Sequence, residues 1–456
     1  MDLVSPVTQS VYARLEETPP ERIDALAETA HAAFLAHRHS TAAERAHCLA
    51  NAADAIAAAH DDLVALLIND IGKPRRLAAA EAKRSAEFVR ACASEILRIG
   101  GETLPLDAVA AGAGHFGFTR RTPYGVVAAI TPFNAPINLL VQKLAPALGM
   151  GNAVLVKPHP AGTRAALRVE QAFAAAGLPP GLLEVVTGDR DAALALVGHR
   201  RVMAVTFTGG AAAGAALVRA AGAKKFVAEL GANSANVVLA DADLIDAAKR
   251  IASAAFEASG QQCVSAQRVI VEDSAYDRFM EQFVAAARAL KVGDPDAAET
   301  DVGPMLSASA AVRIMELIDN AVGLGGKLAL RPERNGCTVS PGIVVDAPFA
   351  ARIWCEEAFG PVVVVQRARD PDHALELAND SQFGLQGSVF TRSLKWALRF
   401  ARDLDVGAVW VNEASRFRLD LYPFGGSKGS GFGREGVRYA IEELSQVKFA
   451  GLRFDV

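Results

Sequence analysis

Cysteine is scarce in this chain of 456 residues, and its five copies are scattered: Cys48, Cys92, Cys263, Cys337 and Cys355. The number is odd and no CxxC pair occurs. This argues against a disulfide framework or a zinc site, and a reducing, cytoplasmic setting is expected. The nine His include no HExxH, so no metal is expected. An excess of one charge is also lacking. The net charge of −4 leaves no footprint for nucleic acid or an anionic membrane surface. Long apolar runs are missing too. The most apolar stretch, 126–141, is broken by Pro132, Asn134, Pro136 and Asn138, so no membrane span is expected. The opening Met1-Asp2-Leu3-Val4-Ser5-Pro6 has neither a basic nor an apolar signal region, and no signal peptide is expected. What remains is an ordinary globular composition, 51% apolar and 21% charged, on a chain long enough for about two to three domains.

Residues 21–99 carry apolar positions at helical spacing among Ala, Leu, Arg and Glu, which predicts helices. Gly72-Lys73-Pro74 interrupts them and Gly100-Gly101 closes the last. Residues 102–122 mix Gly112, Gly114 and Gly117 with Phe116, Phe118, Arg120 and Arg121; they read as an extended arm or hairpin. The GxGxxG at 112–117, and a second at 431–436, lack the strand–turn–helix context of a dinucleotide fingerprint. From Tyr124, apolar strands (125–130, 153–157, 183–186, 203–207, 225–230) alternate with helices (137–148, 163–175, near 192, from 211). This predicts an α/β fold with a parallel sheet covered on both faces. Such a sheet binds ligands at the carboxyl ends of its strands. A second α/β unit follows Glu229. Its helices are expected at 244–259, 274–290, 310–324 and 371–377, with an apolar run at 269–271 and a strand at 362–365. Residues 444–450 read as an extended tail.

Two stretches carry chemistry. Ser259-Gly260-Gln261-Gln262-Cys263-Val264-Ser265 sets a Cys between small and polar residues, where a helical pattern meets an apolar run. A thiol can be held partly exposed there, and its thiolate is a nucleophile. Alone, the stretch also describes an inert core cysteine, the commoner fate of a lone Cys. The second stretch, Phe226-Val227-Ala228-Glu229-Leu230-Gly231-Ala232, sets one carboxylate at the end of an apolar strand, 34 residues before Cys263.

Two α/β blocks joined at Glu229, with a Cys soon after, resemble the aldehyde dehydrogenase superfamily from about residue 20 to the C-terminus. Several motifs stand in the family's order. The resemblance implies two doubly wound parallel-sheet domains: a Rossmann-like cofactor domain (1–101 and 123–228) and a catalytic domain (229–428). It also implies β oligomerisation arms at 102–122 and 440–456. Gly260-Gln261-Gln262-Cys263 is similar to the family's GQxC motif, which would make Cys263 the nucleophile toward the aldehyde carbon. Glu229-Leu230-Gly231-Ala232 is similar to ELGG, with Ala for the last Gly. Glu229 would then activate the water that hydrolyses the thioester, and help deprotonate Cys263; a salt-bridged carboxylate is the alternative. Asn134, in Thr131-Pro132-Phe133-Asn134-Ala135-Pro136, resembles the oxyanion Asn, acting with the Cys263 backbone N–H. An Asx turn is the structural alternative.

The same resemblance implies NAD or NADP, bound through Thr131, Phe133, Lys157, Thr208, Gly209, Gly210, Glu357 and Phe359. Lys157 would bond the adenosine ribose. The turn 207–214 would face the pyrophosphate with a helix N-terminus, and Gly210 stands where the family has Ser. Glu357 would hold the nicotinamide ribose, with Phe359 packed nearby. NAD-preferring relatives often carry Glu three residues after the Lys; here that residue is Pro160, which admits NADP. The Arg-x-Asp ahead of Pro423-Phe424-Gly425-Gly426 resembles the branch of lactaldehyde, phosphonoacetaldehyde and non-phosphorylating glyceraldehyde-3-phosphate dehydrogenases. Arg416 or Arg418, with Arg120, is expected to hold an anionic tail on a short aldehyde; a structural Arg418–Asp420 contact is the alternative. The implied activity is NAD(P)-dependent oxidation of a short, anionic or hydroxylated aldehyde to its acid through a Cys thiohemiacetal and thioester, in a homodimer or homotetramer. A CoA-acylating dehydrogenase and a catalytically silent scaffold compete with it. Glu229 argues against the first, and the intact Cys, Asn and Glu set against the second.

Overall fold

The structure, a computed structural model, describes residues 1–454. Asp455 and Val456, the end of the expected arm, lie outside the described residues. A short hairpin, Asp2–Val4 with Val11–Arg14, opens the chain. Four helices follow: Pro20–His37, Ala42–Ala58, His60–Ile71 and Arg75–Glu95. A capping box starts the second. The Thr41 hydroxyl accepts from the Glu44 N–H while the Glu44 carboxylate accepts from the Thr41 N–H, so two otherwise orphaned donors are satisfied. Gly72 ends the third helix with φ 67°, a left-handed cap that a residue with a Cβ resists. Pro74 then sets the start of the fourth. Lys73 between them is buried.

A six-stranded sheet runs in the order Gly431–Phe432, Lys225–Glu229, Val202–Thr208, Val126–Thr131, Ala153–Pro158, Leu183–Val185. All pairs are parallel except the first. Val126–Thr131 and Ala153–Pro158 are buried at every position, which is why they read as unbroken apolar runs. The helix Asn138–Gly149 is buried along its whole length, Lys143 included. The N-terminal helices share one core with it and with this sheet.

A seven-stranded sheet runs in the order Lys327–Leu330, Gly342–Val345, Val362–Ala368, Ala266–Glu272, Ser234–Val238, Gln386–Phe390, Ala408–Val411. It is parallel apart from its Lys327–Leu330 edge, and two apolar cores cover its faces. The expected α/β fold with two parallel sheets is therefore present. The helix expected to reach Ser259 stops at Phe256, because Ala258 and Ser259 take φ of 53° and 56°. The sequence pattern also left out Gln386–Phe390, the helix Leu394–Asp403 and Ala408–Val411. Residues 102–122 and the tail meet in one three-stranded ribbon: Ser445–Arg453 runs antiparallel to His115–Pro123, and Thr103–Leu104 pairs on the other side. Among the described residues no helix is long and apolar enough to cross a membrane.

Candidate active site

Cys263 lies in the turn between the short helix Glu257–Gly260 and the strand Ala266–Glu272. It is half-buried and packs on a small apolar cluster of Ala232, Val264, Leu385 and Phe424. The three residues Ala258, Ser259 and Gly260 hold φ of 53°, 56° and 63°. Such strain persists where surrounding contacts over-determine it; here the Ser259 hydroxyl donates to the Gly303 carbonyl at 2.7 Å. Cys263 and Asn134 both line one cavity of about 740 Å³. It opens beside the carboxyl ends of the first sheet's strands, where the fold class places ligands.

Glu229 ends its strand and is 2% exposed. Neither of its carboxylate oxygens has a partner among the described residues. Burial pushes Glu229 well above the usual carboxylate range, Glu435 adds to this, and Arg418, Lys143 and Arg434 oppose it. The expected alternative of a salt-bridged Glu229 is not the arrangement found. Burial likewise pushes the Cys263 thiol up to about 12; Arg418 is the charge that opposes this, while Glu357, Glu229 and Glu435 add to it. A buried acid without a partner, whose charge acts on a thiol, is the pattern of a tuned functional site.

Behind these groups stands a buried charge cluster that the sequence did not signal. Lys143 Nζ donates to Glu435 Oε1 at 2.8 Å and to Thr206 Oγ1 at 3.3 Å. Arg418 donates to Glu435 Oε2 at 2.9 Å and to Gln142 Oε1 at 2.5 Å. Burial would raise Glu435, yet the two cations and their hydrogen bonds hold it down at about 2. Within this cluster Arg418 opposes the rise of both Cys263 and Glu229, and Glu435 adds to it. The Arg418 guanidinium lies 3.6 Å from the Phe424 ring centroid, over the cluster on which Cys263 packs.

All eight expected cofactor positions, Thr131, Phe133, Lys157, Thr208, Gly209, Gly210, Glu357 and Phe359, line the cavity. The Thr131 and Thr208 hydroxyls are buried without a partner. The helix Ala211–Ala221 starts at Gly210 with no side-chain cap, so its first N–H groups are available to an anion. These orphaned groups and the cavity's size fit a dinucleotide. Glu357 Oε1 accepts from the Ala232 N–H at 2.9 Å. Burial pushes Glu357 up to about 7, against the Ala232 N–H and Arg313. A Cβ on Gly231 would stand 2.5 Å from a Glu357 carboxylate oxygen, so a larger residue there would push the Glu357 side chain aside. Ala232, by contrast, has room for its methyl in the cluster under Cys263. Phe359, at φ 51°, meets Phe133 edge-on at 5.9 Å, and Phe133 lies 5.3 Å from His159. Burial lowers Lys157 from its ordinary value, and burial with the Lys157 charge pushes His159 down to about 4.

The three expected substrate arginines are not brought together. Arg416 donates to Glu257 at 2.8 Å and to Ser253 at 3.2 Å. Arg120 is exposed on the ribbon, paired across from Lys448. Arg418 alone sits by the site. Its expected partner Asp420 is taken by Arg84 in a two-pronged bond at 2.9 and 2.6 Å.

Residues 1–450 match the profile of the aldehyde dehydrogenase family. The chain belongs to that family. It is 38% identical over 404 residues to 3-sulfolactaldehyde dehydrogenase of Priestia aryabhattai, covering 88% of this chain and 85% of the relative. Aspartate-semialdehyde dehydrogenase 1 of Pseudomonas canavaninivorans is 36% identical over 448 residues, 98% of this chain and 95% of its own. Among solved structures, the NADP-dependent glyceraldehyde-3-phosphate dehydrogenase from Bacillus halodurans, complexed with NADP, superposes with a TM-score of 0.97 at 33% identity, over 99% of this chain and 95% of that one. The expected class, an NAD(P)-dependent aldehyde dehydrogenase, is thus established. Within this aldehyde dehydrogenase the residues missed from the sequence are Lys143 and Glu435, 292 positions apart. The one local signal was a lone charged residue inside a mostly apolar helix.

Proposed function

We propose that this aldehyde dehydrogenase oxidises a short, anionic or hydroxylated aldehyde to its carboxylic acid with water as the acyl acceptor. The observation that carries it is Glu229, a buried carboxyl with no partner on either oxygen, whose charge acts on the Cys263 thiol. A carboxyl so placed is a base in reserve rather than a structural anion. The Cys263 thiol gives its proton to Glu229, and the thiolate adds to the carbonyl carbon. The Asn134 amide and the Cys263 N–H hold the oxyanion that develops. Arg418 supplies the positive charge that favours the thiolate. A nicotinamide held in the cavity would supply the hydride acceptor for oxidation of the thiohemiacetal to the thioester. Glu229 passes the thiol's proton to solvent and then takes a proton from water; the water oxygen attacks the thioester carbon, and the carbon–sulfur bond breaks to release the acid and the Cys263 thiolate.

Two of the relatives act on aldehydes with an anionic tail, and Arg418 is the arginine that supports the same class here. Its Nε is buried and unpartnered and Arg418 does not line the cavity, so the guanidinium must open toward the substrate before this N–H meets a carboxylate, sulfonate or phosphate oxygen. Thr131, Phe133, Lys157, Thr208, Gly209, Gly210, Glu357 and Phe359 hold the dinucleotide, with Lys157 toward the adenosine ribose and Glu357 toward the nicotinamide ribose. Pro160 offers no carboxylate to repel a 2′-phosphate, so NADP serves at least as well as NAD. Residues 1–101 and 123–228 form the cofactor domain and 229–428 the catalytic domain. The ribbon of Thr103–Leu104, His115–Pro123 and Ser445–Arg453, whose last strand starts after the helix Val437–Glu443 rather than at the expected 440, has Val447, Phe449 and Leu452 about half exposed or more and joins copies into a cytoplasmic homodimer or homotetramer, where it covers open sheet edge. The acylating alternative is disfavoured by Glu229, whose place beside the thioester suits water rather than CoA.

The test is the absorbance of reduced nicotinamide with aspartate semialdehyde, lactaldehyde, glyceraldehyde 3-phosphate and a neutral alkyl aldehyde. Each is offered with NAD and NADP, with and without CoA, beside a Cys263→Ala control. CoA-independent turnover that favours the anionic aldehydes and is lost in the control is expected. Turnover that requires CoA sinks the hydrolytic reading.

A further inference from the structure

The Gly72-Lys73-Pro74 break has no part in the chemistry above, yet it buries a lysine next to Asn134. Lys73 Nζ donates to the Asn134 backbone carbonyl at 2.9 Å and forms an ion pair with Glu81, the two side chains being 8% and 5% exposed. The Glu81 carboxylate reaches further. Its Oε1 accepts the N–H groups of Ile137 and Asn138 at 2.9 and 3.1 Å, at the start of the helix Asn138–Gly149. One buried ion pair therefore grips the 131–138 loop on both sides of its Pro136. The same break touches the other wall of the site. A Cβ on Gly303 would meet the Gly72 carbonyl oxygen, and the Gly303 carbonyl accepts the Ser259 hydroxyl that braces the turn before Cys263.

We propose that the Lys73–Glu81 pair is a positioning device for Asn134, setting the loop so that the Asn134 amide meets the oxyanion formed at Cys263. The inference rests on Asn134 being the oxyanion donor. Two physical arguments support it. Oxyanion stabilisation depends on donors fixed in place before charge develops, and a short loop with two prolines has few bonds of its own to fix it. Lys73 supplies a charged donor and Glu81 a charged acceptor, which make the stronger class of hydrogen bond. Removing one partner would also leave an uncompensated charge in the interior, so the pair is retained or lost as a unit. Neither residue touches substrate; both act through Asn134.

The experiment is a double-mutant cycle of Lys73→Met and Asn134→Ala, read as kcat and KM with the best aldehyde, together with cofactor binding and the pH profile of Cys263 alkylation. Asn134→Ala is expected to lose ~100-fold or more in kcat. Lys73→Met is expected to lose about 10- to 100-fold in kcat, with cofactor binding and the alkylation profile unchanged. In the Asn134→Ala background, Lys73→Met should cost less than about 3-fold more, the non-additivity of residues that act together. Lys73→Arg should recover part of the loss. If Lys73→Met proves unstable, Glu81→Gln keeps an acceptor for Ile137 and Asn138 while weakening the grip on Lys73, and the same cycle is run with it. Full multiplication of the two losses, or a Lys73→Met enzyme with unchanged kcat, overturns the proposal. An Asn134→Ala enzyme with unchanged kcat overturns the oxyanion role itself, and the proposal with it.

Discussion

Arg418 and Glu435 face each other across 2.9 Å in a nearly dry pair, and Glu435 is shared with Lys143 at 2.8 Å. Removing Arg418 leaves Glu435 one cation short and removes the charge that most opposes the rise of the Cys263 thiol. Arg418→Met is expected to move the pH profile of Cys263 alkylation upward and to lower stability by about 3–5 kcal/mol. The same variant should lose more kcat/KM with anionic than with neutral aldehydes. Equal losses in both would keep the effect on the thiol and remove the contact with an anionic tail.

Glu229 gives a prediction about stability with a definite sign. Its folded value lies well above the ordinary 4.5. A raised acid contributes stability that is fully present below its unfolded value and is lost as pH rises through the folded one. Glu229→Gln removes that loss, because the amide has no proton to give up. The variant should therefore gain in Tm relative to the wild type at pH 8 more than at pH 5, while acid release is abolished. Melting curves at the two pH values check this. A Gln variant that melts lower at pH 8 would show that the native carboxylate has a stabilising partner after all.

Cofactor choice turns on Pro160, the first residue of the short turn Pro160–Gly162. Pro160→Glu would set a carboxylate three positions beyond Lys157, where like charge opposes a 2′-phosphate. We expect kcat/KM with NADP to fall by about tenfold or more, a cost of roughly 1.4 kcal/mol, with little change for NAD. Steady-state kinetics with both cofactors decide it; a parallel fall in the two would show damage to the turn rather than a change of preference.

The ribbon strand Ser445–Arg453 exposes Val447 by 62% and Phe449 by 50%. Val447→Glu combined with Phe449→Glu puts charge on that face without touching the site. Light scattering should show smaller particles than the wild type at equal concentration. An unchanged mass would remove the ribbon from the assembly.

The first sheet was legible in the sequence because parallel strands buried on both faces leave continuous apolar runs, as at Val126–Thr131 and Ala153–Pro158. Gln386–Phe390 was not, although it is buried throughout. Its Gln386, Gly387 and Ser388 look like loop, and only the fold provides their partners: Gln386 bonds Ser415 and Tyr422, and Ser388 bonds Asn236. Cys263, Glu229 and Asn134 were legible as candidates because each sits in a local motif. Lys143, Glu435, Lys73 and Glu81 were not, since each owes its meaning to a contact at long range. The arginines show the limit from the other side: Arg416 and Arg418 are two residues apart in sequence, yet one is occupied by Glu257 and the other by Glu435.

The two-residue strand Gly431–Phe432 closes the edge of Lys225–Glu229, the strand that ends in Glu229. Everything from the second sheet lies between these two neighbours in the chain. During synthesis the strand of Glu229 therefore waits with one side unpaired until almost the whole chain has emerged. Domain-by-domain folding from the N-terminus is interrupted here by design of the connectivity: the first sheet cannot be finished before the second has been made.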